Sequence, residues 1–161
     1  MVTHNKTIQY TVYARAELPQ RHQEIVTLAE QMTAQSYAPY SQFHVGCALR
    51  FTDNTYFKGN NQENAVYPGG MCAERVTLFA ASAINPDKPI SQIAVMARRL
   101  ESNHLVHCAP CGMCMQAMLE YELKQSAPIE LIFMGVQDQY YVVPSVASCL
   151  PFSFSHKNLD A

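Results

Sequence analysis

No stretch of the chain carries the roughly 20 consecutive apolar residues that a membrane span needs, so no membrane partner is expected. There is no basic excess either: 11 Lys and Arg stand against 13 Asp and Glu, for a formal net charge of -2. Without a positive field the chain is a poor match for nucleic acid, which is excluded as its main partner. Charged residues are scarce, at 15% against 48% hydrophobic. That balance suits a folded domain rather than disorder. The first ten residues lack the apolar core of a secretory signal, so a cytoplasmic location is expected. Repeats and low-complexity segments are also missing. With 161 residues the chain is expected to fold as a single domain, 1–161, that needs no covalent staples.

In the absence of a secretory signal, the six cysteines do not suggest a disulfide framework. Cys47 lies in a strand pattern and Cys149 in an apolar tail, and both read as inert core thiols. Cys72, Cys111 and Cys114 differ, because each opens a helical pattern.

Residues 7–15 alternate Ile8, Tyr10, Val12 and Ala14 against polar neighbours, so 1–17 is expected to add an N-terminal edge strand. Pro19 opens a helix with Ile25, Leu28, Ala29 and Met32 on one face, ending near Gln35. Residues 43–51 alternate as a strand, Asp53-Asn54 is a turn, and 55–58 returns as a second strand. Residues 59–71 form a long loop without periodicity, and loops of that length in small domains usually carry function. Residues 72–83 are helical, with Val76, Phe79, Ala80 and Ala83 expected on the buried face, until Asn85-Pro86 stops them. Residues 93–97 form a continuous apolar run, the pattern of a strand buried on both faces. After a loop over 100–109, Pro110 opens a helix to about Lys124, with Met118, Leu119 and Leu123 inward. Strands over 129–134 and 140–143 complete the pattern. This order predicts an α/β fold: a three-layer α/β/α sandwich with a mixed, mainly five-stranded sheet.

The chemistry concentrates in two stretches, Cys72-Ala73-Glu74-Arg75 and Pro110-Cys111-Gly112-Met113-Cys114. Cys111 and Cys114, three residues apart at a helix start, can turn both sulfurs to one point. Helix N-termini favour thiolates, and Cys72 begins another helix. Three thiolates can hold Zn2+ and leave its fourth position for water. Glu74, two residues past Cys72, can handle protons there without being a ligand, and Arg75 can offset the net negative charge. Two other readings stay open on spacing alone. Cys108 extends the pattern towards an iron–sulfur run, although the fourth cysteine of such a run is missing. A structural four-cysteine zinc site that includes Cys108 is the other, but it would have no use for the adjacent acid.

Cys-Ala-Glu followed by Pro-Cys-x-x-Cys resembles the signature of zinc nucleobase deaminases. Further motifs narrow the resemblance to the small cytidine deaminases: residues 41–46 (Ser-Gln-Phe-His-Val-Gly), residues 61–67 (Asn-Gln-Glu-Asn-Ala-Val-Tyr) and Leu150-Pro151-Phe152-Ser153-Phe154. The resemblance covers residues 28–154. It implies hydrolytic deamination of cytidine or deoxycytidine to the uridine product and ammonia in pyrimidine salvage, with a zinc-bound hydroxide as nucleophile and one Zn2+ per chain. It further implies that Cys72, Cys111 and Cys114 hold the metal and that Glu74 shuttles the proton. Phe43 would pack on the pyrimidine, Asn61 and Glu63 would bind the ribose, and the Ala73 N–H would hold the ring carbonyl. Tyr67 and Phe154 would reach a neighbour's site in a homotetramer. Arg75 would sit behind the ligands. Met115 departs from the family's usual arginine, and Phe152 from a common glycine. Alternatives are a deaminase of another small aminated base or nucleoside, and a non-catalytic zinc-stabilised binding protein.

Overall fold

The run Ile93-Ala94-Val95-Met96-Ala97 is buried to within 1% of full coverage, and it forms the middle of the domain. In the computed structural model, which describes residues 1–102 and 104–159, it belongs to β4 (Ile90–Arg99). On one side β4 pairs antiparallel with β2 (Phe43–Phe51), from Phe43 opposite Arg99 to Phe51 opposite Ile90. On the other it pairs parallel with β6 (Glu130–Met134), which pairs antiparallel with β7 (Tyr140–Val143). The hairpin partner β3 (Tyr56–Asn60) closes the far edge. These five strands are the mixed sheet expected from the sequence. Two short strands bring the total to seven: β1 (Thr11–Tyr13) beside β7, and β5 (Leu105–Val106), which pairs with β4 past the end of β6.

Alternation along the strands divides the core into two layers. Ala48, Ala94, Met96 and Ile132 face α1 (Gln20–Thr33), with its Ile25, Val26 and Ala29. Cys47, Leu49, Ile93, Val95 and Leu131 face α2 (Ala73–Ile84) and α3 (Gly112–Lys124). This is the three-layer α/β/α arrangement. Gly46 sets the spacing of the first layer. A Cβ there would lie 2.0 Å from the Ala29 carbonyl oxygen and 2.8 Å from the Thr33 nitrogen, so the backbones of α1 and β2 touch directly.

Three expectations need correction. The buried face of α2 is Ala73, Glu74, Thr77, Leu78 and Ala81. Phe79 is 42% exposed, and Val76, Phe79, Ala80 and Ala83 do not form the core face. Both faces of this helix carry apolar residues, and the face with Leu78 and Ala81 is the one packed into the core. In α1, Val26 takes the place assigned to Leu28, which is half-buried, and the helix ends at Thr33. The alternation at residues 7–15 forms a strand only at Thr11–Tyr13, and Ile8, Tyr10 and Val12 stay 43%, 51% and 41% exposed.

At the sheet end where β4 and β6 begin, Glu130 accepts hydrogen bonds from His22, 2% exposed, at 2.8 Å and from Gln92 at 2.5 Å. Burial opposes ionisation of Glu130, but these hydrogen bonds and the nearby Arg21 overcome it and hold its pKa below the ordinary 4.5. A depressed carboxyl pKa adds stability above 4.5 that disappears as pH falls through the folded value. Glu130→Gln is therefore expected to lose about 1–2 kcal/mol near neutral pH. The gap from wild type should close as urea unfolding is repeated at pH below 4.5; a gap independent of pH would refute the assignment.

Candidate active site and metal centre

The topology brings two helix starts to one place. Both β3 and β4 are antiparallel to β2, so they point the same way, and α2 must begin at the C-terminal end of β3. β4 and β6 are parallel, so α3, which connects them, begins at the C-terminal end of β4. The two helices pack side by side. Cys72 is the residue before the first turn of α2, Cys111 the residue before that of α3, and Cys114 lies in the first turn of α3.

The sulfurs of Cys72, Cys111 and Cys114 all lie within 4.8 Å of one another, the one such cluster of metal-ligating side chains among the described residues. Cys111 Sγ and Cys114 Sγ are 3.5 Å apart. Three sulfurs bound tetrahedrally at about 2.3 Å from zinc would stand about 3.8 Å apart, so this donor set fits the ion with little movement. Cys114 is buried, Cys72 half-buried and Cys111 exposed, which leaves one side of the cluster open.

The hydrogen bond with Cys114 lowers the Cys72 thiol to about 5 against the effect of burial, with Arg75 assisting. Arg75 Nη2 lies 3.9 Å from Cys72 Sγ. The same sulfur pair, together with burial, pushes Cys114 up. One thiolate forms readily, and a second beside it requires a cation between them. Glu74 is 5% exposed; burial first, then the Cys72 charge, raise its pKa, while its own backbone N–H and Cys114 pull the other way. Cys108 lies outside the cluster. Burial and the charges of Glu74 and Cys72 push its thiol up to about 12, so it stays protonated. Cys47, also raised by burial, and half-buried Cys149 behave as the core thiols expected.

The open side of the cluster faces a cavity of about 390 Å³. Phe43 and Val45 of β2 form one wall, Asn61 and Glu63 of the long loop another, and Cys72, Glu74, Cys108 and Cys111 line it from the helix side. Asn61 ties two walls together: its Oδ1 accepts from the Val45 N–H at 2.8 Å, and its Nδ2 donates to the Phe43 carbonyl at 3.0 Å. Glu63 accepts from the Tyr40 N–H at 2.9 Å, the Ser41 N–H at 3.3 Å and the Ser41 hydroxyl. Despite the burial that opposes it, these bonds keep Glu63 ionised below the usual carboxylate range. Ala73 is fully buried at the first helical position of α2, where its N–H has no intrahelical partner.

Tyr67 and Phe154 are not brought to this cavity. Tyr67 is 79% exposed and packs edge-on to Tyr40 at 6.4 Å; Phe154 is 58% exposed. Sequence reasoning missed Val45, although its spacing from Phe43 along a strand puts both on one face. It also missed that Asn61 bonds to the backbone of β2, for which the sequence carries no signal.

A family model described as the cytidine and deoxycytidylate deaminase zinc-binding region matches residues 19–127. The chain belongs to this family. The cytidine deaminase of Sporosarcina psychrophila is 31% identical over 138 residues, covering 86% of this chain and 94% of that protein. The cytidine deaminase of Halalkalibacterium halodurans is 39% identical over 98 residues, 61% of this chain and 70% of the relative. The crystal structure of cytidine deaminase from Burkholderia pseudomallei superposes with a TM-score of 0.68 at 33% identity, covering 83% of this chain and 98% of that one. Zinc is accordingly the cofactor of this deaminase domain, and the three-sulfur cluster is where the fold offers it a place. Met115, the departure beside Cys114, packs half-buried against the core, and Arg75 is the cation next to the sulfurs.

Metal analysis tests the ligand set. Cys108→Ser is expected to keep about one zinc per chain and Cys111→Ser to lose most of it. Equal loss in both variants would restore the four-cysteine site.

Proposed function

We propose that this deaminase hydrolyses cytidine or deoxycytidine to uridine or deoxyuridine and ammonia, and that residues 1–161 act as one catalytic domain. The observation that carries the reading is a buried carboxyl, Glu74, beside a three-sulfur zinc site on the wall of a mostly apolar cavity. Cys72, Cys111 and Cys114 would hold the metal. Bound zinc supplies the Lewis acidity that lets water ionise near neutral pH.

The remaining work falls to the chain. Glu74 takes the first proton of the attacking water and delivers it to ring N3, which makes C4 electrophilic. The oxygen adds at C4. Glu74 then takes the second proton from that oxygen and passes it to the exocyclic nitrogen, which leaves as ammonia while the carbonyl forms. A carboxyl whose pKa is raised by burial is suited to both directions of transfer. Phe43 packs against the ring, the Ala73 N–H takes the ring carbonyl, and Arg75 offsets the thiolate charge. Asn61 and Glu63 retain hydrogen-bonding capacity for the ribose beyond the backbone contacts they make. The side chains lining the cavity include no Lys or Arg, and Glu63 is ionised there, which favours a nucleoside over a nucleotide.

The assembly we infer is a homotetramer with shared sites. Phe79, Tyr67, Phe152 and Phe154 leave large apolar surface in water, as surfaces that pack against another subunit do. Six free thiols, three of them assigned to the metal, fit the reducing cytoplasm, the setting of pyrimidine salvage. No helix among the described residues is long and apolar enough to cross a membrane.

Glu74→Gln is expected to fold and retain zinc but lose about 10²–10⁴-fold in turnover, read from the ultraviolet absorbance of cytidine. Near-wild-type turnover would end the mechanism, and full metal content with no turnover of any nucleoside by the wild type would point to a binding protein. Sedimentation at assay concentration should give an oligomer; a fully active monomer would remove the shared site.

A further inference from the structure

Three contacts fasten the last part of the chain to the body of the domain. Glu122, buried near the end of α3, accepts from the Val146 N–H at 2.9 Å, the Ala147 N–H at 3.1 Å and the Ser145 hydroxyl at 2.7 Å. Gln116, nearer the start of α3, donates to the Phe154 carbonyl at 2.8 Å. Between these anchors the tail is held by the other end of the chain: Lys6 Nζ donates to the carbonyls of Leu150 and Pro151, both at 3.1 Å. Beyond Lys6 the N-terminal segment joins the sheet, with Thr11–Tyr13 paired to β7 and the Tyr10 ring 5.0 Å from that of Tyr141.

A tail pinned in this way has given up backbone freedom, yet its two rings stay largely in solvent, with Phe152 95% and Phe154 58% exposed. Ordered backbone with uncovered aromatic rings is the arrangement of a presented surface.

We propose that Lys6 is a positioning residue for the shared active site. By tying Leu150 and Pro151 to the N-terminal segment, it sets the direction in which Phe152 and Phe154 leave the chain, and so their fit over the cavity of a second copy. The proposal rests on the shared-site reading above. Lys6 lines no part of the metal cavity, so its effect belongs in substrate binding and not in proton transfer.

The experiment compares Lys6→Ala, Lys6→Arg and a chain truncated after Ser148, all zinc-loaded. Lys6→Ala should raise KM for cytidine roughly three- to tenfold with kcat nearly unchanged, the scale of one partly solvated charge-assisted hydrogen bond. Zinc content should be unchanged. Lys6→Arg, which keeps the donors, should restore KM. Amide exchange across 150–154 should be faster in Lys6→Ala than in wild type. A wild-type KM in Lys6→Ala beside a raised KM in the truncated chain overturns this proposal alone. An unchanged KM in the truncated chain overturns the shared-site reading and the proposal with it.

Discussion

Two helix N-termini converge on one point, and most of the site follows from that fact. Each carries roughly half a positive charge and several N–H groups without partners. Brought together empty, they would repel. Cysteines at the two starts put thiolates where that positive potential is highest. A hydrogen bond between two of the sulfurs favours a thiolate at Cys72 and a protonated thiol at Cys114. A dication satisfies both sides. The convergence itself is a product of strand direction: β3, β4 and β6 all point the same way, and each helix that follows one of the first two must start at the same sheet end. Ligands in open α/β sheets gather at that end for the same reason.

Glu74 depends on this geometry at one remove. It lies in the first turn of α2, two residues past Cys72, and is buried there. Burial there disfavours its charge, and a neighbouring thiolate disfavours it further. The protonated form of the acid is thus favoured by its place on the same helix start that carries Cys72.

Much of the fold could be read from the sequence because its signals are local. The apolar run in β4, the alternation in β2 and the turn at Asp53-Asn54 act over a few residues, and the observed strands follow them. The three-sulfur cluster was legible for a similar reason: spacing on a helix start fixes where sulfurs point. The rotation of α2 was not, since it carries apolar residues on both faces and only tertiary packing chooses between them. Nor were the bonds from Asn61 to Phe43 and Val45, or from Glu122 to residues 145–147, which join segments that have no pattern in common. Tyr67 and Phe154 were expected to reach a neighbouring subunit's site, and on the single chain both rings are exposed.

The contact at Gly46 bears on how such a protein can change over time. With the Ala29 carbonyl 2.0 Å from where a Cβ would stand, β2 and α1 behave as one solid piece, and Phe43 sits on its end. Mutation cannot slide that wall by small steps, because any side chain at residue 46 forces the helix off the sheet. The opposite wall is a loop without such a contact. New substrate preferences would therefore accumulate in residues 61–71, while the side that meets the ring stays as an inherited fixture.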